Sequence, residues 1–159
     1  MNLFQKNLTL LHQHDPSLAR RVETEPFPDS VAVTASKDGH PIPRIGSVSL
    51  HSTYRPLEEG ARWVSGFREC AGKIPVVYGL GFGYHIRQLL RKTSGELAVI
   101  EPWMPMFRAF LEVMDLSPFL PRTRFWVAEP VPKLMARCSP EGWEVLSHRP
   151  TVRLEAPYF

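Results

Sequence analysis

The sequence predicts an α/β fold: a Rossmann-like parallel sheet with crossover helices, preceded by an N-terminal helical segment and a β-hairpin. Three observations carry this reading. From Lys73 onward, short apolar runs alternate with segments of helical periodicity, the sequence form of a parallel sheet. Gly79-Leu80-Gly81-Phe82-Gly83 directly follows an apolar run and opens a helical one. An acidic residue, Glu101, closes the next apolar run, twenty-two positions past Gly79.

The elements follow in order. A first helix runs through Leu3, Phe4, Leu8 and Leu11, and a second starts at Asp15 as N-cap with Pro16 in the first helical position. Glu23 to Ser30 is a breaker-rich linker. Val31 to Ser36 alternates as a strand, Asp38-Gly39 signals a turn, and Pro41 to Ile45 is the return strand, which its two prolines should confine to an edge. Leu57, Ala61, Val64, Phe67 and Cys70 recur at helical spacing, so residues 56 to 71 read as an amphipathic helix stopped by Gly72. Strands are then expected at Ile74 to Tyr78, Leu97 to Glu101, Arg124 to Ala128 and Trp143 to Ser147. Helices are expected at Tyr84 to Lys92, Pro105 to Met114 and Val131 to Cys138. Trp103, Met104, Met106, Phe107, Phe110 and Met114 have helical spacing and read as core. We expect residues 1–72 (helices, hairpin, amphipathic helix) and 73–159 (half-sheet) to form one compact domain, because a chain of 159 residues is about one domain in length.

Composition narrows the function classes. Apolar residues at 43% and charged residues at 22% are ordinary for a globular protein. The net charge of +3 comes from scattered basic residues interleaved with acidic ones, without the clustering a nucleic-acid groove needs. No membrane segment is apparent, and polar residues break up the leucines of Met1 to His14, so we expect a cytoplasmic protein. Cys70 and Cys138 belong to no paired motif and read as buried free thiols. His12 and His14 point about 200° apart on a helix and cannot share a metal ion. No metal site is expected.

The candidate ligand-binding residues are Gly79, Gly81, Gly83 and Glu101. Glycines let a ligand approach the backbone, the helix start offers N–H groups to an anion, and a carboxylate at the next strand end can accept ribose hydroxyls. Tyr84 stands where a dinucleotide fingerprint has its third glycine, which disfavours NAD or FAD. G-x-G-x-G is closer to the S-adenosylmethionine pattern, so a nucleotide or S-adenosylmethionine-type ligand is the cofactor to consider. Close helix–sheet packing is the competing role for the glycines. Glu129, at the end of the third strand, is placed either to approach the base of such a ligand or to cap the next helix. His51, Ser52 and Tyr54 crowd one loop before a helix, a place for a ligand or partner. A Ser-His pair without a third orienting group does not make a nucleophile, so no catalytic residue is named. His85 reads as a helix-surface histidine that leans on a bound anion if one is present.

The order of these signals resembles the N-terminal domain of the motility-associated factor glycosyltransferases, bacterial proteins that modify flagellin with sialic-acid-like sugars. The resemblance rests on Leu50-His51-Ser52-Thr53-Tyr54-Arg55-Pro56 with Glu59, on Val76 to His85, on Val99-Ile100-Glu101-Pro102, and on the ending His148-Arg149-Pro150 and Pro157-Tyr158-Phe159. Arg55 and Gly60 depart from it, standing where the pattern has Asp and Ala. The resemblance implies a non-catalytic accessory module whose partners are a central glycosyltransferase domain or a flagellin-related protein. A small S-adenosylmethionine-dependent methyltransferase-like protein is the alternative, although Val77 stands where such enzymes carry an acidic residue.

Overall fold

The computed structural model describes residues 1–137 and 139–154. Cys138 and the terminal Pro157-Tyr158-Phe159 lie outside the described residues. Two helices open the chain, α1 (Leu3–His14) and α2 (Pro16–Glu23). Each starts where a short polar side chain can take an orphan amide: Asn2 accepts from the Gln5 N–H in a capping box, and Asp15 accepts from the Leu18 N–H ahead of Pro16. A small antiparallel sheet follows, β1 (Ala32–Ala35), β2 (Pro41–Ile45) and β3 (Val48–Ser49), in the order β1-β2-β3.

The two prolines therefore do not mark an edge: β2 is the middle strand. The Leu50 N–H donates to the Pro43 carbonyl, so the prolines face the β3 side, where paired residues reach only Arg44 and Ile45. Their missing N–H groups fall where there is no strand to receive them.

Helix α3 (Pro56–Trp63) is half the expected length. The chain leaves the helix at Val64, where Ser65-Gly66 follow and the Ser65 hydroxyl takes the Arg62 carbonyl. Its buried stripe is Pro56, Gly60 and Val64, not the Leu57–Ala61 face. Arg55 makes no side-chain cap and instead pairs with Glu58 at 3.0 Å, while the Ser52 hydroxyl accepts from the Tyr54 and Arg55 N–H groups. Gly60 is a packing requirement, because a Cβ there would lie 2.9 Å from the Tyr84 backbone. Cys70, in the loop that follows, is exposed rather than buried, since the shortened helix does not carry it into the core.

The main sheet agrees with expectation to within a residue at each strand: β4 (Ile74–Tyr78), β5 (Leu97–Glu101), β6 (Thr123–Val127) and β7 (Trp143–Ser147). All pairs are parallel, in the order β6-β5-β4-β7, the third-second-first-fourth arrangement of a Rossmann half. The crossovers contain α4 (Tyr84–Lys92), α5 (Met104–Val113) and α6 (Val131–Arg137), and α7 (Arg149–Leu154) follows β7. Side chains alternate between faces: Val77, Val99, Phe125 and Val127 meet α1, α2, α4 and α5 in one core, while Val76, Tyr78, Ala98, Ile100 and Trp126 meet Leu134 of α6 in a smaller one. Met104, Met106, Phe107, Phe110 and Met114 are buried as expected. No helix among the described residues is long and apolar enough to cross a membrane.

A buried polar residue fastens α1 to this layer. The Asn7 amide donates to the Leu111 and Met114 carbonyls at 2.8 and 2.7 Å and accepts from the Leu116 N–H at 3.0 Å. It satisfies the frayed C-terminus of α5, whose last carbonyls have no helical partner. Replacing Asn7 by Leu strands those groups in a dry environment, and we expect a loss of about 3 kcal/mol. Urea unfolding of the variant measures it; a change within about 0.5 kcal/mol would count against this anchor.

Candidate functional site

The glycine turn leaves the carboxyl end of β4 at the switch point between β4 and β7, the position where Rossmann sheets receive ligands. Gly79, Gly81 and Gly83 all have positive φ, at 98°, 51° and 75°. Only glycine adopts this run of left-handed conformations without strain. The space beside each one is already taken. A Cβ at Gly79 would meet Thr151 and His148, one at Gly81 would lie 2.5 Å from His51 Nε2, and one at Gly83 would meet Phe119.

Four of the turn's five N–H groups have hydrogen bonds within the chain, Gly79 donating to the Ile100 carbonyl and Gly83 to the Leu80 carbonyl. Leu80 donates to Glu101 Oε2 at 2.9 Å, and Phe82 donates to His51 Nε2 at 2.9 Å. Glu101, 1% exposed, also accepts from the Trp103 N–H at 3.1 Å. It faces the glycine turn as its sequence position requires, and its carboxylate holds the turn directly.

His51, His85 and His148 meet here, each at least 95% buried, with ligand atoms within 4.8 Å of one another. His85 stacks on His148 with centroids 4.3 Å apart and planes 7° apart. His51 lies 5.0 Å from His148 and 5.6 Å from His85, Tyr84 stands edge-on to His51, and Trp63 stands edge-on to His85. Hydrogen bonds define the tautomers of His51 and His85. His51 Nε2 accepts from Phe82, so its proton is on Nδ1, 3.6 Å from Glu59. His85 Nε2 donates to the Gly79 carbonyl at 2.9 Å, and His148 Nδ1 pairs with the Thr151 hydroxyl at 2.9 Å.

Burial lowers the pKa of all three. For His51 the Glu59 carboxylate opposes the shift; for His85, brought down to about 3, proximity to His51 adds to it; for His148, His85 and His51 both add to it. The cluster is neutral at pH 7. As placed, it is poorly suited to a metal ion. An ion bound by imidazole lies in the ring plane, and two stacked, nearly parallel rings share no such point. The His51 Nε2 lone pair is also in use.

His85 is thus an interior residue, not a surface one: α4 turns its first residues inward beneath the glycine turn. Of the loop residues, His51 is buried, Ser52 braces the loop before α3, and Tyr54 is 58% exposed with Lys37 over its ring. Glu129 is held by Lys133 at 2.9 Å, Arg21 at 3.2 Å and Arg137 at 3.3 Å, which keep its pKa low despite partial burial. Arg21 also donates to the Val127 and Ala128 carbonyls, so Glu129 belongs to the clasp between α2 and the end of β6. The motif His148-Arg149-Pro150 does not by itself mark His148 as a site residue. The available signal was its place immediately after β7, the strand beside β4.

No protein-family model matches the chain. In an alignment of 145 positions that covers 83% of the chain, it is 30% identical to an uncharacterized protein of Treponema pallidum (strain Nichols), of which it covers 49%. Its structure is similar to that of MAf glycosyltransferase from Magnetospirillum magneticum AMB-1, with a TM-score of 0.66 and 16% identity, over 99% of this chain and 34% of that one. The chain has the fold of part of a MAf glycosyltransferase. It spans about half the length of the Treponema relative and a third of the Magnetospirillum protein.

Two outcomes follow from the geometry. Gly81→Ala places a Cβ against His51 in a left-handed conformation and is expected to cost about 3 kcal/mol or more; a thermal midpoint unchanged within a degree would contradict the packing described. The second concerns pH. The histidines have folded pKa values below their unfolded value near 6.5, so above that pH they impose no protonation penalty. Below it the unfolded chain gains protons that the folded chain excludes. Stability should therefore fall as pH drops from about 6.5 toward 3, by up to about 1.4 kcal/mol per pH unit per histidine. His148→Gln should make the fall shallower, as thermal melts between pH 7.5 and 5 will show.

Proposed function

We propose that the chain is a non-catalytic accessory module of a flagellin-modifying glycosyltransferase of the motility-associated factor type. Its role is to position a central glycosyltransferase domain or a flagellin-related protein, and it acts in the cytoplasm. The carrying observation is that two N–H groups of the glycine turn, those of Leu80 and Phe82, are bonded to the protein's own Glu101 and His51. A nucleotide-type ligand would have to displace both buried partners before its own hydrogen bonds formed, and leaving them unpaired is costly. The motif resemblance and the fold shared with MAf glycosyltransferase supply the biological setting. Residues 1–72 and 73–159 are proposed to act together as one unit, because the principal core draws Leu11, Ile42 and Leu50 together with Val77 and Phe107.

A methyltransferase needs the opposite of this turn, with amides and a strand-end carboxylate left open for a sulfonium nucleoside. We expect S-adenosylmethionine or its demethylated product to bind with a dissociation constant of about 100 μM or weaker, no more favourable than roughly −5.5 kcal/mol, by titration calorimetry. Low-micromolar binding abolished by Glu101→Ala would replace the accessory reading with the methyltransferase one. Within cells, removing residues 1–159 should reduce the sugar-dependent mass increment of flagellin; an unaltered increment would sink the proposed setting.

A further inference from the structure

The outer side of α4 has a feature that the glycine turn does not use. Arg87 and Arg91, one turn apart, form the wall between two adjoining cavities of about 290 and 320 Å³. The smaller is completed by Arg122, Leu90 and Pro118 and has no acidic side chain in its lining. Arg122 donates to the Leu90, Thr93 and Gly95 carbonyls, which fix its guanidinium without neutralising it. Arg91 has only a 3.5 Å contact with Gln88. Among the described residues none of these arginines forms an ion pair with a carboxylate, unlike Arg21, Arg55, Arg108, Arg124 and Arg137.

Helix electrostatics explain only part of this. Arg91, in the last turn of α4, suits the negative end of the helix dipole. Arg87 lies near the N-terminal end, where the dipole disfavours a cation, and it is partly buried. Three guanidinium groups around one recess repel one another unless an anion joins them, and their planar forks suit the oxygens of a phosphate or carboxylate. The larger cavity differs in character. His40, Gln88 and Asp115 line it, and the Asp115 carboxyl is held below its ordinary pKa chiefly by the Ser117 N–H and further by Lys6. Arg87 and Arg91 line it too, but with Asp115 and Gln88 beside them it also offers acceptors to hydroxyl groups, which the smaller cavity's side chains do not.

We propose that this double recess binds a sugar bearing one acidic group, with the phosphate or carboxylate among Arg87, Arg91 and Arg122 and the hydroxylated ring toward His40, Gln88 and Asp115. The recess lies on the outer side of α4, apart from the glycine turn, and the inference does not rest on the accessory-module reading.

The test is calorimetric or NMR titration of the intact chain with D-glucose 6-phosphate, D-glucuronate, inorganic phosphate and D-glucose. One of the two acidic sugars should bind saturably, and which one does identifies the acidic group. It should bind at least about tenfold more tightly than inorganic phosphate or glucose, a difference that Gln88→Ala narrows. Arg87→Gln with Arg91→Gln should weaken it about tenfold or more while the thermal midpoint, which reports folding, stays unchanged. Three results overturn the proposal: no saturable binding of either acidic sugar, binding that survives the double substitution, or inorganic phosphate binding as tightly as the sugar.

Discussion

A strand that ends in a run of left-handed glycines presents backbone N–H groups in the sheet's crevice, and something must accept their hydrogen bonds. In this chain the acceptors are internal. Glu101 reaches across from the end of the neighbouring strand to Leu80, and His51 descends from the loop before α3 to Phe82. Much else follows from that closure. Bringing His51 to the turn puts the loop before α3 against it, and with Gly60 against the Tyr84 backbone α3 lies directly on α4. The ring of His51 then helps to bury His85 and His148, whose stacking joins the first turn of α4 to the segment after β7.

This arrangement is costly in one respect and secure in another. Three buried imidazoles forgo solvation, and their low basicity makes the site tolerant of neutral conditions but not of acid. In return, polar groups of the turn have partners across three separate stretches of sequence, so local motion of any one leaves buried groups unpaired. The same logic works at the other end of the molecule on a smaller scale, where Asn7 satisfies the end of α5 and Arg21 the end of β6. Each is a side chain from the helical N-terminal segment that completes a backbone terminus of the half-sheet.

The strands of the main sheet and the helices between them were legible because their signals are local: apolar runs of strand length, short loops with Gly, Pro or Asp, and an N-cap before Pro16. What the sequence concealed was set by tertiary partners. Pro41 and Pro43 read as edge residues, yet β2 is central because β3 is too short to need their N–H groups. The helix from Pro56 kept its apolar spacing past Val64, but Ser65-Gly66 broke it and Gly60 turned a different stripe inward. Glu101 was legible because its offset from the glycines has a known geometric meaning. His85 and His148 were not, since nothing in a helix-start histidine or in Ser-His-Arg-Pro shows that the two rings will stack beneath a turn from another part of the chain.

The motif stretches through Leu50–Pro56, Val76–His85 and Val99–Pro102 contain the candidate ligand-binding residues Gly79, Gly81, Gly83 and Glu101 and the candidate ligand or partner loop of His51, Ser52 and Tyr54. Their convergence is real, but the Leu80 and Phe82 amides that meet there are already bonded to Glu101 and His51. A fold can retain the crevice of a nucleotide-binding sheet while its own side chains occupy the ligand's place, because an amide at a helix start does not distinguish an external oxyanion from an internal carboxylate or imidazole. At the glycine turn Leu80 and Phe82 already have internal acceptors, whereas the arginines along α4 carry positive charge that no carboxylate of the described chain balances. The capacity to recognise an anion has not vanished from this half-sheet; it lies on the far side of the helix that the glycine turn begins.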